Sequence, residues 1–169
     1  MTWILTASGA HFDLADPQPD MINLLDIAQG LANECRYAGQ CRWFYSVAQH
    51  STLASHIVAP ELALEALLHD AAEAYIKDIP RPLKLLLPDY RAIEQRVDTV
   101  IRHAFGLPDR MSDTVKEADI IMLATERRDL LTNKVEHLYP TKNDMKRASL
   151  PILRGTLLGS LLGILPGAA

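Results

Sequence analysis

The segment EALLHDAAEAYIKDIPRP, residues 65–82, constrains this chain more than any other. It reads as an apolar-faced helix, yet it sets His69 beside Asp70, Glu73 one turn on, and Asp78 just past the helix end. Such groups are costly to bury unless they pair with one another or hold a cation. On a helix, residues three and four apart share a face, so His69, Asp70 and Glu73 project to roughly one side. Imidazole and carboxylate are the usual ligands of a divalent transition ion. Two ligands do not hold a metal, so the others must come from elsewhere in the chain.

Other helices are available to supply them. Two short apolar runs around Ser8-Gly9 in WILTASGAHFDL have the pattern of a small β-hairpin. A helix is expected from about Ile22 to Glu34, with Leu24, Ile27, Ala28 and Leu31 on one side. Ser46 and Gln49 form an S-x-x-Q capping-box signature ahead of VAQHSTLASHIV. Pro60 and Glu61 open the motif helix, expected to continue to Ile76. A longer amphipathic helix spans roughly Asp89 to Phe105 and stops at Gly106 and Pro108. Ser112 and Asp113 then begin TVKEADIIMLATERRDLL, an acidic start that suits the helix dipole. The fold expected is a compact all-α bundle with a short N-terminal β-hairpin, forming a single domain over residues 1–169. With 169 residues, 49% of them hydrophobic, it can bury a core without disulfides or structural metal.

His50 lies early in the capped helix that directly precedes the motif, where antiparallel neighbours would meet. Asp119 interrupts an apolar stripe of Val115, Ala118 and Met122, and an unpaired charge there wants a cation. Taken singly, each has a bland reading. His50 could be a satisfied core histidine, Asp119 could pair with Lys116 on a solvated face, and His69-Asp70 is a weak dipeptide. Jointly, His50, His69, Asp70 and Asp119 come from three helices and form a two-imidazole, two-carboxylate set with room for water. His11, His56, His103 and His137 read as structural or surface residues. The shortage of histidines between Asp70 and Asp119 favours one metal ion over two.

The order H…HD…D, with CRYAG upstream, YSVAQHS, ALLHDAAEAYIKDIP and KEAD, resembles the HD-domain superfamily of metal-dependent phosphohydrolases. Within it the chain is similar to the bacterial and prophage 5'-deoxynucleotidase branch over about residues 3–130; residues 131–169 form an extension without a matching motif. The resemblance implies an HD-type helical bundle in which His50, His69, Asp70 and Asp119 bind one divalent ion such as manganese, cobalt or zinc. It implies that Glu73 orients or deprotonates the attacking water. Arg36 would grip the phosphate, and Asp78 would face the sugar or Arg36. Lys116 would be a second phosphate contact, with a surface lysine as the plainer alternative. Tyr37 stands where related deoxynucleotidases carry a tryptophan that helps read the sugar.

The activity so implied is release of phosphate from nucleoside 5'-monophosphates, deoxyribonucleotides foremost. One alternative is a deoxynucleoside triphosphate triphosphohydrolase using the same metal site. Another is a non-catalytic nucleotide-binding helical protein. Few basic residues lie near the motifs, namely Arg36, Arg42, Lys77, Arg81, Lys84 and Lys116, and a triphosphate would need several of them to converge. A nucleic acid polymer is not an expected partner, because backbone binding needs a basic surface and the net charge is −4. Cys35 and Cys41 are expected as reduced thiols, and MTWILTAS lacks the basic start and apolar run of a secretory leader. The expected location is cytoplasmic. The uncharged tail after Arg154 is too short and too glycine-rich to span a membrane, which takes about 20 apolar residues. It is expected to be a buried end-piece or a contact in a homo-oligomer.

Overall fold

The computed structural model describes residues 1–131. The apolar tail, the subunit contact expected of it and His137 lie outside the described residues. The chain starts with an antiparallel hairpin of β1 (Trp3–Leu5) and β2 (His11–Asp13). Its register pairs Trp3 with Asp13, Ile4 with Phe12 and Leu5 with His11. Gly9 turns the hairpin at φ 82°, a left-handed backbone that glycine adopts without a Cβ clash. Alternation along β2 sends Phe12 inward, where it is fully buried and stacks on Tyr75 with centroids 4.0 Å apart. The turn is tied to the first helix by Asp26, whose carboxylate accepts from the Ser8 N–H and the Ser8 hydroxyl, each at 2.7 Å. Burial alone would raise the pKa of Asp26, but the Ser8 and Thr6 hydroxyls outweigh it and hold the carboxyl below its ordinary value.

The rest is helical, as expected. The helices are α1 (Leu24–Asn33), α2 (Val47–Ile57), α3 (Ala63–Leu67), α4 (Glu73–Ile76), α5 (Arg81–Lys84), α6 (Pro88–Ala104) and α7 (Asp113–Glu126). A π-helical turn, Arg127–Leu131, follows α7. Asn23 caps α1, the Ser46–Gln49 capping box starts α2 with both halves formed, and Ser112 caps α7. Among the described residues, no helix is long and apolar enough to cross a membrane. Cys35 and Cys41 are both free thiols.

The motif segment departs from the single helix expected over residues 61–76. Pro60–Leu62 is a 3-10 turn, α3 ends at Leu67, and α4 begins only at Glu73. Between them the chain tightens to three-residue bonds, Ala71 N–H to Leu68 O at 3.0 Å and Glu73 N–H to Asp70 O at 3.0 Å. The cause is the motif itself. The His69 ring takes the Ala66 carbonyl at 2.7 Å, the acceptor an unbroken α-helix would offer to the Asp70 N–H. His69 and Asp70 therefore stand on a tight turn between two short helices.

The core joins Phe12, Ile27, Leu31, Val47, Leu68, Tyr75, Val97 and Ile101. α1 packs on α2 and α4, and α2 packs on α3 and α7. The approach of α1 to α4 requires Gly30, because a Cβ there would sit 2.8 Å from Ala74 Cβ and 2.9 Å from Ala74 O. Glu73 stands at the start of α4, so this contact sets the depth of the motif carboxylate. Gly30→Ala is expected to cost a net of about 1–2 kcal/mol, overpacking outweighing the gain in helix propensity. Urea denaturation checks it, and an unchanged midpoint would mean that α1 and α4 separate without resistance.

Candidate metal and phosphate site

Four elements converge. α2 contributes His50, the tight turn contributes His69 and Asp70, α7 contributes Asp119, and the 3-10 turn Arg36–Gly39 contributes Arg36 and Tyr37. His50 and His69 are buried, and their Nε2 atoms lie 3.2 Å apart. Asp119 Oδ1 is 3.2 Å from His50 Nε2 and 3.8 Å from His69 Nε2. Asp70 Oδ2 is 3.2 Å from His69 Nε2 and 3.6 Å from His50 Nε2. His50, His69 and Asp119 offer ligand atoms that all lie within 4.8 Å of one another. Asp70 stands beside them and is shared, its Oδ2 also accepting from Arg36 Nη1 at 3.3 Å.

The outer ring nitrogens decide what the inner ones can do. His69 Nδ1 faces the Ala66 carbonyl, so it carries the proton and leaves Nε2 as a lone pair. His50 Nδ1 lies 2.7 Å from Glu126 Oε1, which fixes the same tautomer. Two lone pairs and two carboxylates thus confront one another in a largely buried space. Burial alone would lower both imidazole pKa values. The carboxylates of Asp119 and Glu126 overcome it at His50, as those of Asp70 and Asp119 do at His69, so both are raised. Asp70 and Asp119 are partly buried, yet the imidazoles hold them below the usual carboxylate range. Such a cluster must hold positive charge, either protons or a cation. Its donor set fits a divalent ion, with the carboxylate–histidine support that orients metal ligands.

Glu73 is buried, its Oε1 3.3 Å from Lys84 Nζ, while Oε2 has no hydrogen-bond partner among the described residues. Burial, then the charges of Asp70 and Asp78, push its pKa well above the ordinary value. A cavity of about 480 Å³ opens here, lined by Arg36, Tyr37, Asp78 and Lys84 among others, with Arg81 and Arg127 adding charge. Asp78 lines it beside Arg36, its backbone N–H held by Glu34 at 3.3 Å. Burial raises the Asp78 carboxyl against the pull of Arg36.

Sequence reasoning missed several members and misplaced one. Lys116 does not line this cavity; it is exposed and bonded to Asp113 at 2.8 Å, three residues back on the same helix. Local pairing with Asp113 satisfies it without reaching the site. Among the described aromatic residues, Tyr37 lines the cavity. Tyr75 is in the core against Phe12, and Trp43 and Phe44 are exposed away from it. His11, His56 and His103 are exposed, as expected. Arg127 was overlooked as a cavity cation, and Glu126 was overlooked as the carboxylate behind His50 and Arg36. The available signal for Glu126 was its position two turns after Asp119 on the same helix.

No family model matches the chain. The uncharacterized protein YfdR of Escherichia coli is 57% identical over 130 residues, covering 77% of this chain and 73% of YfdR. The chain belongs to the YfdR family. A more distant relative of this chain, the uncharacterized protein RCAP_rcc00048 of Rhodobacter capsulatus, is 36% identical over 126 residues, 69% of this chain and 64% of that protein.

Because ligation needs deprotonated imidazoles, and the imidazole pKa values here are raised, metal binding must expel protons. Titration of manganese or cobalt into the metal-free protein should show affinity rising as pH rises through the neutral range, with proton release. Asp70→Ala should lower that affinity by at least about 100-fold, beyond the usual loss from a supporting residue. Affinity that is flat with pH, or undisturbed in Asp70→Ala, would remove the cluster as the ion's seat.

Proposed function

We propose that this chain is an HD-type, metal-dependent phosphohydrolase that releases phosphate from nucleoside 5'-monophosphates, deoxyribonucleotides foremost. The observation that carries the reading is the junction of the His50–His69–Asp70–Asp119 cluster with a cavity lined by Arg36 and Glu73. A divalent ion held by that cluster would polarise a phosphoryl oxygen and acidify water.

The chain's own groups account for the rest. Arg36 offers a planar guanidinium to the phosphate and can neutralise charge as the P–O bond breaks. Its engagement with Glu126 and Asp70 orients that fork toward the cavity. Lys84 adds a second cation on the same wall, the part Lys116 was expected to play. Glu73 is the general base: burial and its acidic neighbours raise its proton affinity above that of an ordinary carboxylate, the direction a proton acceptor needs. Its carboxylate lines the cavity and can take a proton from a water attacking phosphorus. Asp78 and Tyr37 flank the same space and suit the sugar hydroxyl.

A second reading has one supporting observation. Arg36, Arg81, Lys84 and Arg127 all line the cavity, more basic charge than one phosphate requires, which suits a nucleoside triphosphate. The two readings separate by product. Purified protein with manganese or cobalt is assayed against ribo- and deoxynucleoside mono- and triphosphates. Orthophosphate from monophosphates is expected; inorganic triphosphate would move the assignment to the second reading, and neither product would end both.

Glu73→Gln should retain the metal while turnover falls about 10²–10⁴-fold, the usual reach of acid–base catalysis. Wild-type turnover in that variant would assign proton transfer elsewhere.

A further inference from the structure

The buried carboxylate of Glu126 touches both halves of the site at once. Its residue is 3% exposed, and four donors converge on it. Oε1 accepts from His50 Nδ1 at 2.7 Å and from the Tyr45 hydroxyl at 2.9 Å. Oε2 accepts from Arg36 Nε at 3.2 Å and from the Tyr37 hydroxyl at 2.8 Å. One oxygen therefore serves the metal cluster and the other serves the wall of the phosphate cavity. We infer that Glu126 is a positioning residue that aligns metal ligand and phosphate-binding groups together.

The inference rests on the phosphohydrolase reading for what the two halves do, but the geometry of the hub stands by itself. His50 can present Nε2 as a lone pair only while Nδ1 keeps its proton, and Oε1 holds that proton in place. Arg36 must turn its Nη1 edge toward Asp70 and the cavity, and the bond from Nε to Oε2 sets that angle. Tyr37 lies in a stretch that no free chain would favour. Tyr37 and Ala38 have φ values of 57° and 53°, left-handed for two consecutive non-glycine residues. Such conformations persist only where surrounding contacts hold them. The Tyr37 hydroxyl on Glu126 is one such contact, and the Arg36 N–H on the Tyr45 carbonyl at 2.9 Å is another. The strained turn carrying Arg36 is thus clamped onto the group that orients His50.

Both oxygens are fully used, so Glu126 cannot be replaced by a group with one acceptor. Glutamine keeps the shape but offers a single acceptor oxygen, an amide N–H₂ facing donors, and no charge. Glu126→Gln is expected to weaken manganese binding, measured by calorimetry on the metal-free protein, by about 10–100-fold. It should also weaken binding of a deoxynucleoside 5'-monophosphate to the manganese-saturated protein by about tenfold, with the circular dichroism spectrum retained. Two single-donor variants split the hub. Tyr45→Phe should weaken manganese binding more than nucleotide binding, and Tyr37→Phe should do the reverse.

A folded Glu126→Gln protein that loses only one of the two affinities, or neither, overturns the inference. If that variant does not fold, the tyrosine pair decides: an opposite split supports the hub, and equal or absent effects overturn it. These readouts are binding constants, so they remain decisive if the wild-type protein binds both ligands yet releases no phosphate. That result would fail the hydrolase reading alone.

Discussion

Two imidazoles whose outer nitrogens are already engaged, one by Glu126 and one by the Ala66 carbonyl, turn their inner nitrogens on each other at 3.2 Å. Asp70 and Asp119 close on the same point. Every inner group is an acceptor in this tautomer, so the arrangement is unfavourable without positive charge between them. Protons can supply that charge, which is why the imidazoles titrate high and the aspartates low. A divalent ion supplies it better, since it satisfies all the lone pairs at one point. The remaining features of the protein either bring these groups together or make use of the charge they gather.

The scaffold achieves this with short elements and specific local bonds. α2 starts at a complete capping box, which fixes where His50 falls on the helix face one turn later. The His69 ring breaks its own helix by capturing a carbonyl, and the break puts Asp70 and Glu73 on a turn. Gly30 lets α1 lie against α4 with no side chain between, so Glu73 sits at the depth of the cluster. At the end of α1, Glu34 bonds Lys77 Nζ at 2.7 Å and the Asp78 N–H, pinning the loop that presents Asp78. Lys77 itself has φ 80°, so this loop too is held against its backbone preference.

Much of this was legible in the sequence where the signal was local. The hairpin around Gly9, the capping box, the Ser112 cap and the ends of α6 all follow from turn and cap chemistry that acts within a few residues. His50, His69 and Asp119 were legible for a different reason: a polar group on an apolar helical face is expensive, and three such groups explain one another. What escaped was chemistry that depends on side-chain reach. The helix break could not be read, because A-A-E-A-Y-I favours a helix and nothing local says that the His69 ring will compete for Ala66 O. Lys116 has carboxylates three residues away on both sides, Asp113 and Asp119, and spacing cannot choose between them. The fold pairs Asp119 with His50 and leaves Lys116 to Asp113. Glu126 was hidden because the residues it serves, Arg36, Tyr37, Tyr45 and His50, lie 76 to 90 positions earlier.

The direction from which an anion can reach the cluster follows from the two cavities that flank it. Asp70 and Glu73 form the wall between them and line both. On one side stand Arg36, Arg81, Lys84 and Arg127, with Asp78 and Asp119 as the added acids. On the other stand Glu94 and Asp98, with Arg91 as the added arginine. Charges lining a low-dielectric cleft focus its field, and the first side, with four cations against four acids, is less hostile to an anion than the second, with one cation against four acids. Lys84 sharpens the contrast, because its Nζ bonds Glu94 at 2.6 Å and Glu73 at 3.3 Å and so stands at the boundary. An anion entering on the arginine side would meet Arg36, Arg81, Lys84 and Arg127, with Glu73 in the wall that this cavity shares with the other.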